Sequence, residues 1–378
     1  MNIAIISNTS WSIYNFREHL ISCLKEKGYN VFAIAPRDEY SDKIKAWSNF
    51  VPLNSLEGNS KNPLKDIILL IDLRRVIKKN NIDLAFSFTP KGNIYTCYAA
   101  MGSNTRCVPT VNGLGSGFEK KGILSRVLIF LYRYSFRYSH SVIFQNVDDA
   151  YFFQLKNIVH PSKTKLVNGS GVDLQKFQPK IKSRKSRNVT VFAFVGRLIL
   201  SKGFKDFLNA AKSLSSNEEY CFKLAGSHDT KRTGMSVKEL NEFCKNTGVE
   251  YIGFIDSVNE FLKKIDVIVF PSYYPEGLPR ILLESLATGL PVITCNTPGC
   301  KETVVDGKNG FLVPIRSPES VASAMQRIAS LSDKELTAMG LSSRELAENK
   351  FGVEQVTQQY LDIANLIQTE KLKAISLS

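Results

Sequence analysis

Along the chain, short runs that are apolar on both faces alternate with longer stretches in which apolar residues recur every three or four positions. In the first half, the runs at 2–7 (NIAIIS), 31–35 (VFAIA), 82–88 (IDLAFSF), 106–111 and 141–145 (SVIFQ) read as strands. Helical spacing falls between them, near 13–28, 63–80, 91–102, 121–139 and 147–156. The second half reads as strands at 189–195 (VTVFAFV), 220–225, 249–253, 266–270 (DVIVF), 291–294 (PVIT) and 310–313, with a closing helical pattern at 353–370. Strands apolar on both faces and separated by helices predict parallel sheets covered on both sides. Each half has enough units for its own doubly wound, Rossmann-like sheet.

The break between the halves is the segment 176–188, KFQPKIKSRKSRN, with six basic residues, no acid and no periodicity. The expected organisation is a first domain over 1–176, a basic linker over 177–188 and a second domain over 189–352. The helix from about 353 to 378 is expected to pack back on the first domain. Two such domains facing each other would place the carboxyl ends of both sheets at one cleft, where ligands of open α/β sheets bind.

Composition narrows the class. The chain has 378 residues, 43% hydrophobic and 22% charged, which is globular rather than disordered or fibrous. No run of 18 apolar residues occurs, so no spanning helix is expected. The start, MNIAIISNTSW, reads as a buried strand rather than a signal peptide, and the expectation is a cytoplasmic protein. Seven dispersed Cys, with no CxxC and no His at ligand spacing, predict reduced thiols and no metal site. Residues 1–187 carry 28 Lys/Arg against 13 Asp/Glu, and the remainder carries 21 against 22. All of the +14 net charge therefore sits in the first half, which points to a polyanionic partner.

Two stretches carry candidate chemistry. Strand 189–195 ends in Gly196-Arg197, and Ser201-Lys202-Gly203 precedes a helix at 203–214. A helix start already favours an anion, and the two cations beside it can neutralise a diphosphate. Alone this is an ordinary solvated turn. The second stretch, 271–291, runs PSYYPEGLPRILLESLATGLP. Pro279 suits a first helical position, and the amides of Leu278 and Arg280 are then open to a phosphate. Glu276 and Gly277 occupy the loop at the helix mouth, and Glu284 lies one turn after Arg280 on the same face. A carboxylate at Glu284 can accept from two vicinal ribose hydroxyls, and Glu276 from hydroxyls of a sugar. Either glutamate alone would be an unremarked surface acid; two of them framed by Gly, Pro and a strand-to-helix turn are a site.

These motifs resemble the retaining family 4 glycosyltransferases of the GT-B fold. The likeness rests on G-R-L…S-K-G at 196–203, on the spacing from Glu276 to Glu284, and on P-G-C-K-E-T-V-V-D-G-K-N-G-F-L-V at 298–313. The run E-G-L-P-R-I-L-L-E-S is similar to the capsule and O-antigen (CapM-like) branch, as are S-I-Y-N-F-R-E-H-L at 12–20 and V-N-G-L-G at 111–115. The resemblance implies that Arg197 and Lys202 bind the donor diphosphate and that Gly196 and Gly277–Arg280 frame it. Glu284 would then hold the ribose, Glu276 the transferred sugar, and Gly253-Phe254 the base. It also implies metal independence, and no D-x-D triplet occurs in the chain. Where many relatives carry a His, this chain has Asn112.

The expected function is transfer of a sugar, an N-acetylhexosamine or related sugar from a UDP-sugar, onto a polyprenyl-diphosphate-linked saccharide. Neither cofactor nor metal is expected. Asn15, Arg17, Lys91, Asn112 and Gly113 are the candidate acceptor residues. The stretch 119–139, with Lys120, Lys121, Arg126, Arg133 and Arg137 among apolar residues, suits an anionic membrane interface or a helix packed on the sheet. The expected place is therefore peripheral, at the inner face of the cell membrane. The competing enzymatic reading, a sugar-nucleotide epimerase or hydrolase, needs an acid/base pair that the four His do not supply. A nucleic-acid-binding reading of the basic half lacks a helix-turn-helix, zinc or RNP-like pattern, so no nucleic-acid partner is expected.

Overall fold

The computed structural model describes residues 1–56, 62–119, 122–179, 189–233 and 235–376. The chain divides into two units, Met1–Ser170 with Val353–Ser378, and Gly171–Gly352.

Unit 1 opens with β1 (Asn2–Ile6), α1 (Ser10–Glu26), β2 (Asn30–Ala35), α2 (Ser41–Lys45) and β3 (Asn49–Pro52). It continues through α3 (Pro63–Lys79), β4 (Leu84–Phe88), α4 (Pro90–Ala99), β5 (Arg106–Val111) and α5 (Ile123–Ser135). The remaining elements of this run are β6 (Val142–Phe144), α6 (Val147–Leu155) and β7 (Thr164–Leu166). The seven strands are parallel in the order β3-β2-β1-β4-β5-β6-β7. The order reverses between β1 and β4, so helices cover both faces. On one face α3 to α6 bury Leu69, Leu73, Ile94, Tyr132 and Phe153. On the other, α1 packs with Tyr360, Ala364 and Ile367 of the last helix, Val353–Ser376.

Unit 2 contains β8 (Thr190–Val195), α7 (Phe204–Leu214), β9 (Tyr220–Ala225), α8 (Thr230–Thr233), α9 (Val237–Asn246) and β10 (Val249–Gly253). Next come α10 (Val258–Leu262), β11 (Val267–Phe270), α11 (Arg280–Ala287), β12 (Val292–Cys295) and β13 (Gly310–Val313). Helices α12 (Pro318–Ala329) and α13 (Asp333–Lys350) close the unit, and the helix Val353–Ser376 of unit 1 is α14. The six parallel strands run β10-β9-β8-β11-β12-β13, reversing between β8 and β11. Every residue of β8, β11 and β12 is buried, as expected for strands covered on both faces.

The division falls between Ser170 and Gly171, ahead of the expected end of the first domain at 176. The reason is packing: Phe177 and Val172 lie in the core of unit 2, and Val172 N–H donates to Phe351 O. Arg344 holds the same segment by donating to the carbonyls of Leu174, Phe177 and Ala287. Of the expected linker, residues 180–188 lie outside the described residues. Counted by unit, the charge asymmetry shrinks. Unit 1 has 24 basic and 15 acidic residues and unit 2 has 25 and 20, because the basic stretch from Lys176 to Arg187 belongs to unit 2.

Candidate active site

The carboxyl ends of β8 and β11 flank the reversal in the unit 2 sheet, and the loops that leave them are tied together. Tyr273 N–H donates to Ser201 O at 2.8 Å, joining the β11 loop to the β8 loop. The Thr297 hydroxyl donates to Ser272 O at 2.9 Å, which adds the loop after β12. Two glycines allow these loops to touch. Gly203, at φ +78°, caps α7, and a Cβ there would stand 2.1 Å from Pro271 O. Gly299, at φ +83°, lies so close that a Cβ would stand 2.0 Å from Gly277 O. Both positions require the left-handed region and the missing side chain.

Within this frame Lys202 Nζ and Glu276 Oε1 lie 2.8 Å apart, each side chain about one-eighth exposed. The Lys202 ammonium also sits 5.3 Å from the Phe270 ring centroid and 5.8 Å from that of Tyr274. At the start of α11, Arg280 Nε donates to Oε1 of Glu284, one turn further on, at 2.7 Å. Burial pushes the Glu284 carboxyl above its ordinary range, and Arg280 opposes that push without cancelling it. Cys300 is buried nearby; burial first, and then the Glu276 charge, push its thiol up to about 12. That thiol is no nucleophile at neutral pH. Arg197 is exposed and makes no ion pair among the described residues. Gly253 O accepts from Gly226 N–H at 2.7 Å, and Phe254 beyond it is 68% exposed, a free aromatic face. Pro279 is the N-cap of α11 rather than its first helical residue, so Arg280 opens the helix and no side chain caps it. Among the described residues no cluster of His, Cys, Asp and Glu can hold a metal ion.

Sequence reasoning named both glutamates, Arg197, Lys202 and Arg280, and the structure brings four of these five together in two ion pairs. It missed those pairings, and it missed the supports supplied by Tyr273, Thr297 and Gly299. The signal for Gly299 was present in the Pro298-Gly299 dipeptide.

At the reversal of the unit 1 sheet, two expected acceptor residues are placed differently from the expectation. Arg17 is buried, 5% exposed, its guanidinium 3.7 Å from the Phe88 ring centroid, and so it is not presented at the surface for an acceptor. Lys91 is engaged by Asp66 at 2.6 Å in a half-buried pair. Asn15 Nδ2 donates to Trp11 O, while Asn112 is exposed and accepts from Gln145 Nε2. Gly113 follows at φ +95°. Thr89, at the end of β4, has φ +78°, a strained conformation for a β-branched residue at the ligand edge of a sheet. Lys120 and Lys121 lie outside the described residues. Of the stretch 119–139, α5 occupies 123–135, and among the described residues no helix is long and apolar enough to cross a membrane.

Two family models match the chain: glycosyl transferase 4-like over residues 2–146, and glycosyl transferases group 1 over residues 175–345. This chain belongs to the family 4-like, group 1 glycosyltransferases. Its relatives include the N,N'-diacetylbacillosaminyl-diphospho-undecaprenol alpha-1,3-N-acetylgalactosaminyltransferase of Campylobacter jejuni, 27% identical over 96% of this chain and 98% of that one. A UDP-Gal:alpha-D-GlcNAc-diphosphoundecaprenol alpha-1,3-galactosyltransferase of Escherichia coli is 28% identical over 79% and 80%. The glycosyltransferase also shares its fold with the solved sucrose-phosphate synthase of Thermosynechococcus elongatus. That structure superposes with TM-score 0.81 at 19% identity over 98% of this chain and 100% of the other. The two doubly wound parallel sheets are those expected of a GT-B transferase.

Proposed function

We propose that this glycosyltransferase moves an N-acetylhexosamine or related sugar from a UDP-sugar onto a polyprenyl-diphosphate-linked saccharide in bacterial surface glycan synthesis, with retention and without metal. The observation that carries the reading is the pair Lys202–Glu276 beside the pair Arg280–Glu284, at the carboxyl edge of one sheet. Lys202 and Arg197 neutralise the leaving diphosphate, with the start of α11 adding its dipole. Glu284, on the first turns of α11, accepts from the ribose hydroxyls, and Glu276 orients the transferred sugar. Phe254 offers a face to the base. The Campylobacter and Escherichia relatives, named for undecaprenol-linked acceptors and aminosugar or galactose donors, support the substrate class. Acceptor binding falls to the carboxyl edge of the unit 1 sheet, at Asn15, Asn112, Gly113 and the strained Thr89. On this reading the enzyme works peripherally, at the inner face of the cell membrane.

Melting shifts with UDP-, GDP- and dTDP-sugars test the donor, with the UDP series expected to stabilise the protein. Transfer is expected to persist in EDTA, and the product to keep the donor's anomeric configuration by NMR. Loss of transfer in EDTA with recovery on adding Mg²⁺, or an inverted product, would contradict the mechanism.

A further inference from the structure

The outer surface of the α3–α4–α5 layer in unit 1 is apolar where a surface helix is ordinarily polar. On α3, Leu64, Ile67, Ile68 and Ile71 are 68%, 55%, 53% and 44% exposed and form one stripe, while Leu69, Leu73 and Ile77 on the opposite side are buried. On α5, Ile123 is 80% exposed, Phe130 55%, and Leu124 and Val127 just under half. Helix α4 packs against both and is largely buried between them. Further along, each stripe turns basic. Arg74, Arg75 and Lys78 continue the α3 stripe. Tyr134 and Arg137 continue that of α5, the guanidinium 4.6 Å from the ring centroid.

The three helices each connect parallel strands, so they run in one direction with their N-termini at the carboxyl edge of the sheet. The apolar ends of both stripes therefore lie at the ligand edge and the cations behind them. Helix α5 contains no acid, and on α3 Asp66 and Asp72 are paired with Lys91 and Arg75. The α1–α14 layer on the other face exposes Trp11, Leu366 and Leu372. An exposed apolar patch of this extent marks a docking site. Apolar residues bordered by aromatics and by the cations Arg74, Lys78 and Arg137 match the chemistry of an anionic lipid interface, with acyl chains for the stripe and headgroup phosphates for the cations.

We infer that the outer faces of α3 and α5 form one surface that inserts into the acyl chains of an anionic bilayer. The choice of a lipid occupant rests on the lipid-diphosphate acceptor proposed above. Such a surface holds the carboxyl edge of the unit 1 sheet at the membrane, so that an acceptor's lipid tail stays in the bilayer during transfer. Insertion differs in kind from charge attraction, because salt screens charges but does not weaken apolar burial.

The test is sedimentation with phosphatidylethanolamine/phosphatidylglycerol vesicles at low salt and at about 1 M NaCl, where the screening length falls to about 3 Å. The wild type is expected to remain partly bound at high salt. Ile67→Gln/Ile68→Gln and, separately, Ile123→Gln/Phe130→Ser are each expected to weaken partition about tenfold or more. Both should keep the donor-induced melting shift and transfer to a short-chain, water-soluble acceptor. In a Phe130→Trp variant, lipids with brominated chains should quench the new fluorescence above the wild-type background. Complete release at high salt, or unchanged partition in both double variants, would overturn the inference. Concentration-dependent self-association abolished by the same substitutions would overturn it too, by showing an interface between copies of the chain. Vesicle insertion without transfer to any lipid-diphosphate saccharide would uphold the surface and sink the proposed acceptor instead.

Discussion

The two units differ little in net charge, +9 against +5, but greatly in what they expose. Of the large hydrophobic side chains exposed among the described residues, eighteen belong to unit 1 and seven to unit 2. Unit 2 concentrates its chemistry in partly buried ion pairs at one sheet edge. Unit 1 buries Arg17 against Phe88 and leaves apolar helix faces uncovered. The same doubly wound scaffold therefore presents two kinds of surface. One is a polar cradle suited to a charged, water-soluble ligand, and the other a face suited to an apolar partner. Charge counted along the chain obscures this distinction, because the basic stretch 176–187 belongs to the unit with the polar cradle.

The strongest way to break the comparison is to remove the cation at the centre of the unit 2 cradle. Lys202→Ala should lower transfer by an order of magnitude or two, since losing a charge-assisted contact costs about 1.5–3 kcal/mol. It should leave vesicle binding unchanged. Near-normal kinetics in this variant would mean that the donor diphosphate is held elsewhere. Gly299→Ala tests whether the cradle depends on loop contact rather than on charge alone. The added methyl would meet Gly277 O, and the loop bearing Glu276 must shift. Turnover should fall with Lys202 and Glu276 both intact. Gly307→Ala is the control: it has nothing within 4 Å of the new Cβ, only the φ +76° strain, and should cost about 1 kcal/mol of stability.

Glu276→Gln sharpens the comparison by separating binding from turnover. The carboxylate of Glu276 pairs with Lys202, and a diphosphate must share or replace that partner. Removing the carboxylate should raise affinity for UDP several-fold, because the ammonium then lacks a competing anion. Turnover should drop by about tenfold or more through loss of contact with the transferred sugar. Calorimetric titration of UDP beside steady-state kinetics measures both. Weaker UDP binding in this variant would show that the pair positions Lys202 for the diphosphate rather than competing for it.

Most of the architecture was legible because buried parallel strands are apolar on both faces. The strands at 189–195, 266–270 and 291–294 fall within a residue of where that pattern places them, and every residue of β8, β11 and β12 is buried. Strands β3 (NFVP) and β7 (TKL) were missed; they are three or four residues long, lie at the sheet edges, and have no fully buried residue. The boundary was placed late because a basic, aperiodic stretch reads as linker, whereas burial of Val172 and Phe177 fixes where unit 2 begins. At the site, motif spacing located Glu276 and Glu284. It did not show that the partner of Glu276 is Lys202, far away in the chain, because only the adjacency of β8 and β11 brings them together. Side-chain direction was the other gap. Arg17 and Lys91 are at the right edge of the sheet, but one turns inward onto an aromatic ring and the other toward an acid on α3.

The smallest expected effect is on stability, and it asks whether unit 2 gives up stability to hold its cradle. Glu284 is 8% exposed, and burial raises its carboxyl above the ordinary value of 4.5 despite the neighbouring Arg280. In the native state the group binds its proton more tightly than in the unfolded chain. Its contribution is therefore full below about pH 4.5 and is lost as pH rises through the raised native value. Once ionised, the buried Glu284 carboxylate weakens the fold. Glu284→Gln should then melt higher than wild type at neutral pH, while transfer is nearly abolished for want of the ribose acceptor. Replacing a buried charge in this way is worth about 1 kcal/mol or more, or about 2–4 °C for a unit of this size. The difference should narrow as pH falls toward 4.5, because the two side chains become alike in charge. Melting curves of both proteins across that range decide it. A Gln variant that melts lower at neutral pH would show that the Arg280–Glu284 pair stabilises unit 2, and that this carboxylate is held at no cost to the fold.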